Sequence, residues 1–138
     1  MKKSWGRNSG FTLLELLVVV VVVGILASVA LPQFQRMILR SRTAEGTNMV
    51  GALLTAELVY YQDRNSCTTS TTGDLLVAVP TNGTTWFNYA IPAATSASAR
   101  VTATGNGITL NGGSVPATVV VTGTINNTGT REITVTGL

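Results

Sequence analysis

Residues 11–31 read FTLLELLVVVVVVGILASVAL, an apolar run of 21 residues that contains one charged side chain, Glu15. At 1.5 Å of rise per residue, a helix of this length measures about 31 Å, which matches the hydrocarbon core of a bilayer. The six valines Val18–Val23 would also suit a buried strand, but apolar sequence continues on both sides beyond the length of an ordinary strand. The run therefore predicts a membrane-spanning helix.

The positive charge of the chain is concentrated ahead of this run. The 138 residues carry nine Lys and Arg against six Asp and Glu, a net charge of +3, and three of the cations are Lys2, Lys3 and Arg7. Without these three the two signs balance, so the body of the chain is neutral. The basic character therefore does not indicate a nucleic-acid partner.

The sequence offers no set of catalytic, cofactor-binding or metal-binding residues. It contains no His and a single Cys, Cys67, which excludes a His-based triad and a His/Cys zinc site. Asp74 and Glu132 are too isolated for a calcium site, and no phosphate-binding Gly-rich motif is present. We predict that the protein is not an enzyme and needs no cofactor.

The leading residues, MKKSWGRNSG, support two interpretations. With the apolar run they resemble a secretory signal peptide that is cut after Ala30, behind the small residues Ser28 and Val29. Against this, the run is longer than a usual signal-peptide core, carries Glu15 near its start and continues into further helical sequence. If the signal-peptide interpretation holds, the chain is a secreted or anchored β-domain that binds a partner.

The second interpretation rests on a resemblance. The segment Gly10-Phe11-Thr12-Leu13-Leu14-Glu15 resembles the leader junction of type IV pilins and their pseudopilin relatives. The shared features are a short Lys-rich leader that ends in Gly10, then Phe11, and Glu15 at the fifth position after the cut. Gly24 and Pro32 also lie where that family usually has them.

The resemblance implies a function and a set of partners. A prepilin peptidase is expected to cut between Gly10 and Phe11 and to methylate the new amine on Phe11. The precursor would lie in the bacterial inner membrane with its leader in the cytoplasm, and an inner-membrane assembly platform would add it to a surface filament of pilin copies. The role is then that of a type IV pilus subunit, or else of a pseudopilin or minor pilin in type II secretion or DNA uptake. Adhesion, motility and DNA uptake are not distinguished by the residues.

Glu15 has two compatible interpretations. Thr12-x-x-Glu15 fits a capping box, in which the side chains satisfy the first N–H groups of their own helix. In the pilin family the matching glutamate is thought to pair with the N-terminal amine of a neighbouring subunit, which implies an assembly role for Glu15. Further along, Gly24 and Pro32 bracket a weak stretch of helix. This stretch is either a simple proline kink or, as the family implies, a place where the helix unwinds in the filament.

The helical pattern continues beyond the apolar run. In residues 33–64 the apolar positions recur at steps of three and four, between charged residues that include Glu57. These apolar residues are Phe34, Met37, Ile38, Met49, Val50, Leu53, Leu54, Leu58 and Tyr61. We predict one helix of about 50 residues, whose half at 11–32 lies in the membrane or filament core and whose half at 33–64 is amphipathic.

The composition changes after Arg64. Residues 65–138 are rich in Thr, and alternating Thr, Val and Ile between Gly/Asn turns predicts short antiparallel strands. The predicted strands are Trp86–Ile91, Ala99–Thr104, Ile108–Leu110, Thr118–Ile125 and Glu132–Thr136. Two hairpins are expected, 99–104 with 108–110 and 118–125 with 132–136. The overall prediction is an α+β chain with the type IV pilin fold, a leader at 1–10, and a small sheet packed on the second half of the helix.

Cys67 marks a departure from the family pattern. Many major pilins close their C-terminal region with a disulfide, and a single cysteine cannot form one internally. We expect a free thiol within a loop that runs from Cys67 to Gly83. Asn82-Gly83-Thr84 and Asn126-Asn127-Thr128 match the N-glycosylation pattern, but this pattern arises often in Thr-rich sequence.

Overall fold

A computed structural model describes residues 11–71, 73–80, 85–107 and 114–138. Its main element is one helix, α1 (Leu13–Arg64), of 52 residues. The chain forms two compact units, Met1–Arg36 and Met37–Leu138, which are described separately below. The predicted helix of about 50 residues is confirmed.

The described part of the first unit, residues 11–36, is almost entirely helical. The valine run Val18–Val23 lies within α1, which confirms helix over strand. Every large apolar side chain from Phe11 to Phe34 is exposed. By length and composition this part of α1 is able to cross a membrane.

In the second unit, α1 ends at Arg64 and is followed by a residue in the left-handed conformation. Asn65 adopts a left-handed conformation with φ of 54°, and its N–H donates to the Tyr61 carbonyl at 2.7 Å. A left-handed residue directly after a helix is a common way to end it, and Asn tolerates this conformation better than most residues. The residues described between Asn65 and Pro80 contain no helix or strand, which agrees with the predicted loop.

The described residues of the second unit also form a four-stranded antiparallel sheet in the order β1-β2-β3-β4. The strands are β1 (Phe87–Ala94), β2 (Ser98–Gly105), β3 (Val120–Asn126) and β4 (Arg131–Thr136). The pairing of β3 with β4 confirms the predicted second hairpin, from Val120 opposite Thr136 to Ile125 opposite Arg131. Its turn follows the expected chemistry, because Gly129 has φ of 83° and the Asn126 side chain accepts from the Thr130 N–H at 2.9 Å.

The other predicted hairpin is wrong. β2 pairs with β1 along one edge and with β3 along the other, so residues 99–104 have no edge left for residues 108–110. The predicted strand Ile108–Leu110 itself lies outside the described residues. A Gly-Asn-Gly sequence signals a turn, but it does not say whether the next strand in the chain is the next strand in the sheet.

The core lies between the second half of α1 and one face of the sheet. Its helix side is made by Val50, Leu53 and Leu54, and its sheet side by alternate residues of the strands. These alternate residues are Phe87, Ile91, Ala99, Val101, Ala103, Val121 and Ile125, with Val115, Val119 and Leu75 from the connecting segments. The period-two burial along β2 and β3 is that of a sheet with one face covered.

Two glycines allow the helix and the sheet to approach closely. A Cβ on Gly46 of α1 would lie 3.0 Å from the Phe87 ring, and a Cβ on Gly123 of β3 would overlap Val50 and lie 2.8 Å from Leu54. Each glycine therefore leaves the space that a large side chain from the opposite layer occupies.

The amphipathic prediction for residues 33–64 needs two corrections. Phe34, in the first unit, is exposed, as is Met37 at the start of the second, so neither belongs to the core. Glu57, which the sequence pattern counts among the charged residues between the apolar positions, is 0% exposed. Glu57 lies three and four residues after Leu54 and Leu53, so helical spacing alone puts it on the buried face.

The close packing at Gly123 gives a testable expectation. Gly123→Ala should lower the free energy of unfolding by about 1–3 kcal/mol, because Val50 and Leu54 must move to admit a methyl group. Urea unfolding of the full chain in detergent, followed by near-ultraviolet circular dichroism, measures the change. Gly51→Ala is the matched control, since its Cβ would lie 4.0 Å from its nearest neighbour, Ile133, and alanine favours a helix by about 1 kcal/mol. Equal stability of both variants would contradict the packing argument.

Candidate functional site

The start of α1 is held by the residues that the capping pattern singled out. The backbone N–H of Glu15 donates to Oγ1 of Thr12 at 3.2 Å, and the N–H of Leu16 donates to the Thr12 carbonyl at 3.2 Å. Thr12 is therefore the N-cap residue, and its hydroxyl satisfies one of the first N–H groups of the helix. The donor in this contact is the backbone N–H of Glu15, and the Glu15 carboxylate takes no part in it.

The part of α1 that follows this N-cap has an apolar surface on all sides. Phe11 is 87% exposed and Leu13 is 88% exposed, and the large side chains that follow are about half exposed or more. A helix that is apolar all round belongs in lipid or in the interior of an assembly rather than in water. Glu15 lies in the first turn of α1, at one end of this surface.

The other predicted assembly residues lie within the same helix. A Cβ on Gly24 would meet no other heavy atom within 4 Å, so no neighbour in the chain requires glycine there. Pro32 lies inside α1, which continues through it, although proline removes one helical hydrogen bond. Gly10, on the leader side of the predicted cut, lies outside the described residues. Thr12, Glu15, Gly24 and Pro32 thus share one helix, and the structure leaves their roles in assembly as predictions.

A second polar site, around Glu57, was missed from the sequence. One carboxylate oxygen, Oε2, accepts from the Thr68 N–H at 3.1 Å, whereas Oε1 is buried without a hydrogen-bond partner. Burial raises the pKa of Glu57 above its ordinary value of 4.5, while the Thr68 N–H and the Cys67 thiol act in the opposite direction. A fully buried carboxyl with one unpaired oxygen is unusual and costs stability when it is ionised.

Cys67 lies beside this carboxyl and is half-buried. Burial raises its pKa above the ordinary value of 9.0, and the negative charge of Glu57 raises it further. Since the thiolate is the reactive form of cysteine, these surroundings lower its reactivity at neutral pH. The structure thus favours an unreactive free thiol at Cys67.

At the far end of the second unit's helix, Arg42 fixes a connecting segment. Its guanidinium lies 4.4 Å from the centre of the Trp86 ring and donates to the Ser114 carbonyl at 3.3 Å. The nearby hydroxyl of Tyr89 is buried, and burial together with the charge of Glu45 raises its pKa well above the ordinary value of 10.0. These contacts join structural elements and form no ligand cavity of their own.

Two further kinds of site remain, a metal site and the two N-glycosylation sequences. No group of three His, Cys, Asp or Glu side chains that could hold a metal occurs within the described ranges. The Asn126 side chain accepts from the Thr128 hydroxyl at 2.6 Å as well as from the Thr130 N–H, so the turn already uses the side-chain oxygen of this match to the N-glycosylation pattern. The second such site, Asn82, lies outside the described residues.

Comparison with known proteins finds similarity at the N-terminal end of the chain. Residues 5–31 match the family model described as the prokaryotic N-terminal methylation motif. The type IV major pilin protein PilA of Myxococcus xanthus (strain DK1622) is 41% identical over 59 residues, which are 43% of this chain and 27% of that protein. The fimbrial protein EcpC of Eikenella corrodens is 42% identical over 57 residues, 41% of this chain and 37% of that protein.

A third relative shows the same distribution. A fimbrial protein of Pseudomonas aeruginosa is 47% identical over 49 residues, which are 36% of this chain and 32% of that protein. In each case this chain spans about a third of the relative's length. The family model itself covers residues 5–31 of the 138.

The cap at Thr12 can be tested directly. Thr12→Ala should cost about 1 kcal/mol of helix stability at the first turn, because the hydroxyl that accepts from Glu15 is lost. Amide hydrogen exchange of the chain in detergent micelles should then be several times faster at Glu15 and Leu16. Thr12→Ser keeps the hydroxyl and is expected to exchange like the wild type. If both variants exchange alike, the hydroxyl does not cap the helix.

Proposed function

Because the chain carries the N-terminal segment of the type IV pilin family, we propose that it is a structural subunit of a type IV pilus. A prepilin peptidase removes residues 1–10 by cutting between Gly10 and Phe11 and methylates Phe11. The subunit then polymerises through its apolar helical segment into a surface filament. We assign it no catalytic activity and no cofactor.

The main support for this proposal is the exposed apolar surface of residues 11–31, in contrast to the buried core of the second unit. The second unit has a buried apolar cluster of its own, between α1 and the sheet. In the first unit every large apolar side chain from Phe11 to Leu31 is exposed. Such a surface is stable in water only when lipid or other apolar helices cover it. A membrane precursor and a filament supply these two environments in turn.

Each segment of the chain has its own role in the proposed function. Residues 11–32 lie in the inner membrane before assembly, with the leader in the cytoplasm, and form the filament core afterwards. Residues 33–64 connect this half to the sheet of residues 65–138, which lies at the filament surface. Gly24 and Pro32 weaken the helix at two points and so permit local unwinding during this transfer.

Glu15 supplies a directional interaction in an otherwise apolar segment. Its carboxylate lies in the first turn of α1, about 6 Å along the axis from Phe11. After cleavage the Phe11 amine of a second copy is a cation of suitable size to pair with it. An ionised carboxylate at the edge of lipid is costly without a partner, so pairing favours addition of a subunit to the filament.

A pseudopilin or minor pilin role in type II secretion or DNA uptake is the second candidate. The same processing motif and the same apolar helix favour it equally, since both belong to the segment that drives assembly. Electron microscopy of a deletion strain distinguishes the roles. Loss of surface pili indicates the pilus subunit, whereas intact pili with a secretion or uptake defect indicate the alternative. The assembly platform and other pilins are the proposed partners in either case.

The proposed processing has a sharp chemical signature. Lys2 and Lys3, the only lysines of the sequence, both lie in the leader, so the processed chain has a single primary or secondary amine. Mass spectrometry of filaments sheared from cells should find N-methylated Phe11 as the first residue and one site of amine labelling. A chain that begins at Leu31 would instead establish cleavage of a signal peptide and overturn the proposal.

The assembly role of Glu15 gives a further prediction. Glu15→Ala should leave cleavage after Gly10 intact and reduce sheared filament by roughly tenfold or more, as expected for loss of a charge-assisted hydrogen bond of about 1.5–3 kcal/mol. Immunoblots of sheared and cell-bound fractions measure the two quantities. Glu132→Ala, which removes an exposed carboxylate on β4, is the control and should assemble normally. Normal filament yield from Glu15→Ala would refute amine pairing.

A further inference from the structure

The segment that follows α1 buries Leu75 in the core of the second unit, and two neighbouring residues nearer the helix, Cys67 and Thr68, are hydrogen-bonded to the rest of that unit. The N–H of Cys67 donates to the Thr95 carbonyl at 3.2 Å, and the N–H of Thr68 donates to the Glu57 carboxylate at 3.1 Å. The first bond joins the segment to the residue after β1, and the second joins it to the helix. Since the second bond ends on a titratable group, its strength depends on whether that group carries a proton.

The Glu57–Thr68 contact continues into the rest of the segment. The Thr68 hydroxyl accepts from the Ser70 N–H at 3.1 Å and donates to the Asp74 carboxylate at 3.3 Å. Asp74, Leu76 and Val77 then form one wall of a cavity of about 710 Å³, whose other wall includes Ala56 and Val59 of α1. Thr68 therefore connects the buried carboxyl to the residues that shape this cavity.

Among the residues that the structure describes, Glu57 forms no ion pair. The ion pair found among the described residues joins Arg64 to its neighbour Asp63, at 3.0 Å on the surface of α1. The titratable groups of the segment are Cys67, whose thiol hydrogen-bonds to the carboxyl, and Asp74, which is one hydrogen bond further away. The charged side chains of the strands, Arg100, Arg131 and Glu132, are exposed, and Arg131 donates to Thr55 at 2.9 Å.

We propose that Glu57 is a pH-sensitive switch that holds the start of the segment after α1, at Cys67 and Thr68, closed on the helix when its carboxyl is protonated and favours local opening there when it is ionised. In the closed state the carboxyl is 0% exposed and Oε1 has no donor, so ionisation leaves an unpaired charge in the interior. Opening at Thr68 lets water reach both oxygens. This inference concerns the second unit and does not depend on the proposed filament.

The direction of the pH dependence follows from linkage. Burial raises the pKa of Glu57 in the closed state above the ordinary value of 4.5 that applies when the segment is open. The closed state therefore binds the proton more tightly, and its advantage is complete below about pH 4.5. The advantage decreases as the pH rises through the closed-state pKa, by at most about tenfold in the opening equilibrium per pH unit for one proton. Cys67 does not produce the same effect below pH 8, because its own pKa is raised from 9.0.

The Thr68 amide reports the opening directly. Its hydrogen exchange in the full chain in detergent micelles, corrected for the intrinsic pH dependence, should show protection that falls as the pH is raised from about 4.5 towards 8. Glu57→Gln keeps an oxygen acceptor but cannot ionise, so its Thr68 protection should stay constant over that range. Glu132→Gln, which changes an exposed carboxylate, should behave like the wild type.

The experiment has outcomes that overturn the proposal. Thr68 protection that is constant with pH in the wild type, or that rises with pH, refutes the switch, as does the same pH dependence in Glu57→Gln. If Glu57→Gln does not fold, the wild-type series still decides, with the amide of Val121 in β3 as the internal reference. Parallel loss of protection at Thr68 and Val121 would indicate general unfolding and would also refute a local switch.

Discussion

The second unit depends on one packing contact, between the buried face of α1 and the inner face of the sheet. Val50, Leu53 and Leu54 supply its helix side and are fully buried. The contact is close because Gly46 and Gly123 each leave room for a large side chain from the opposite layer. At about 25 cal/mol per Å² of apolar surface, burial on this scale supplies most of the stability available to so small a sheet. A sheet of four strands with one apolar face needs such a cover.

Polar groups in this core are paired with few exceptions. The buried hydroxyl of Thr43 donates to the Leu39 carbonyl at 2.8 Å, and that of Thr85 donates to the Phe87 carbonyl at 2.8 Å. Glu57 differs, because its carboxyl is buried with one oxygen unpaired. Residues that break the rules of a well-packed core in this way are where conformational change or function is expected. The hydrogen bond from the Thr68 N–H to the Glu57 carboxylate joins this buried carboxyl to the segment after α1, which is why we propose a role for it there.

The apolar segment shows the opposite arrangement. It has helix-compatible sequence, an N-cap at Thr12 and internal backbone hydrogen bonds, yet its large apolar side chains are exposed. In water this surface is unfavourable, and in lipid or a helical assembly it is stable. The proposed function therefore depends on a change of surroundings for this segment. Glu15, the one charged residue of residues 11–31, is the group proposed to give that change a direction.

The sequence by itself determined the elements whose signals are local. Residues 11–31 are apolar over a length that only a helix explains, and Thr12 precedes the helix with a hydroxyl that caps it. Alternating Thr and Val between Asn/Gly turns located four strands to within about three residues at each end, because side chains in a strand alternate between its faces. The β3–β4 hairpin followed from its turn. These features depend on residues that are close together in the chain.

Only the tertiary structure decided the features that depend on distant residues. Nothing in the local pattern shows that β2 lies between β1 and β3, because strand order depends on which edges are covered. Gly46 and Gly123 weaken the helix and the strand that contain them. Only the packed structure shows that they leave the space that Phe87 and Leu54 occupy. Glu57 has the residue type of a surface charge, although its spacing from Leu53 and Leu54 places it on the buried face of α1. Its burial is fixed by the sheet and by the segment that brings Thr68 to it.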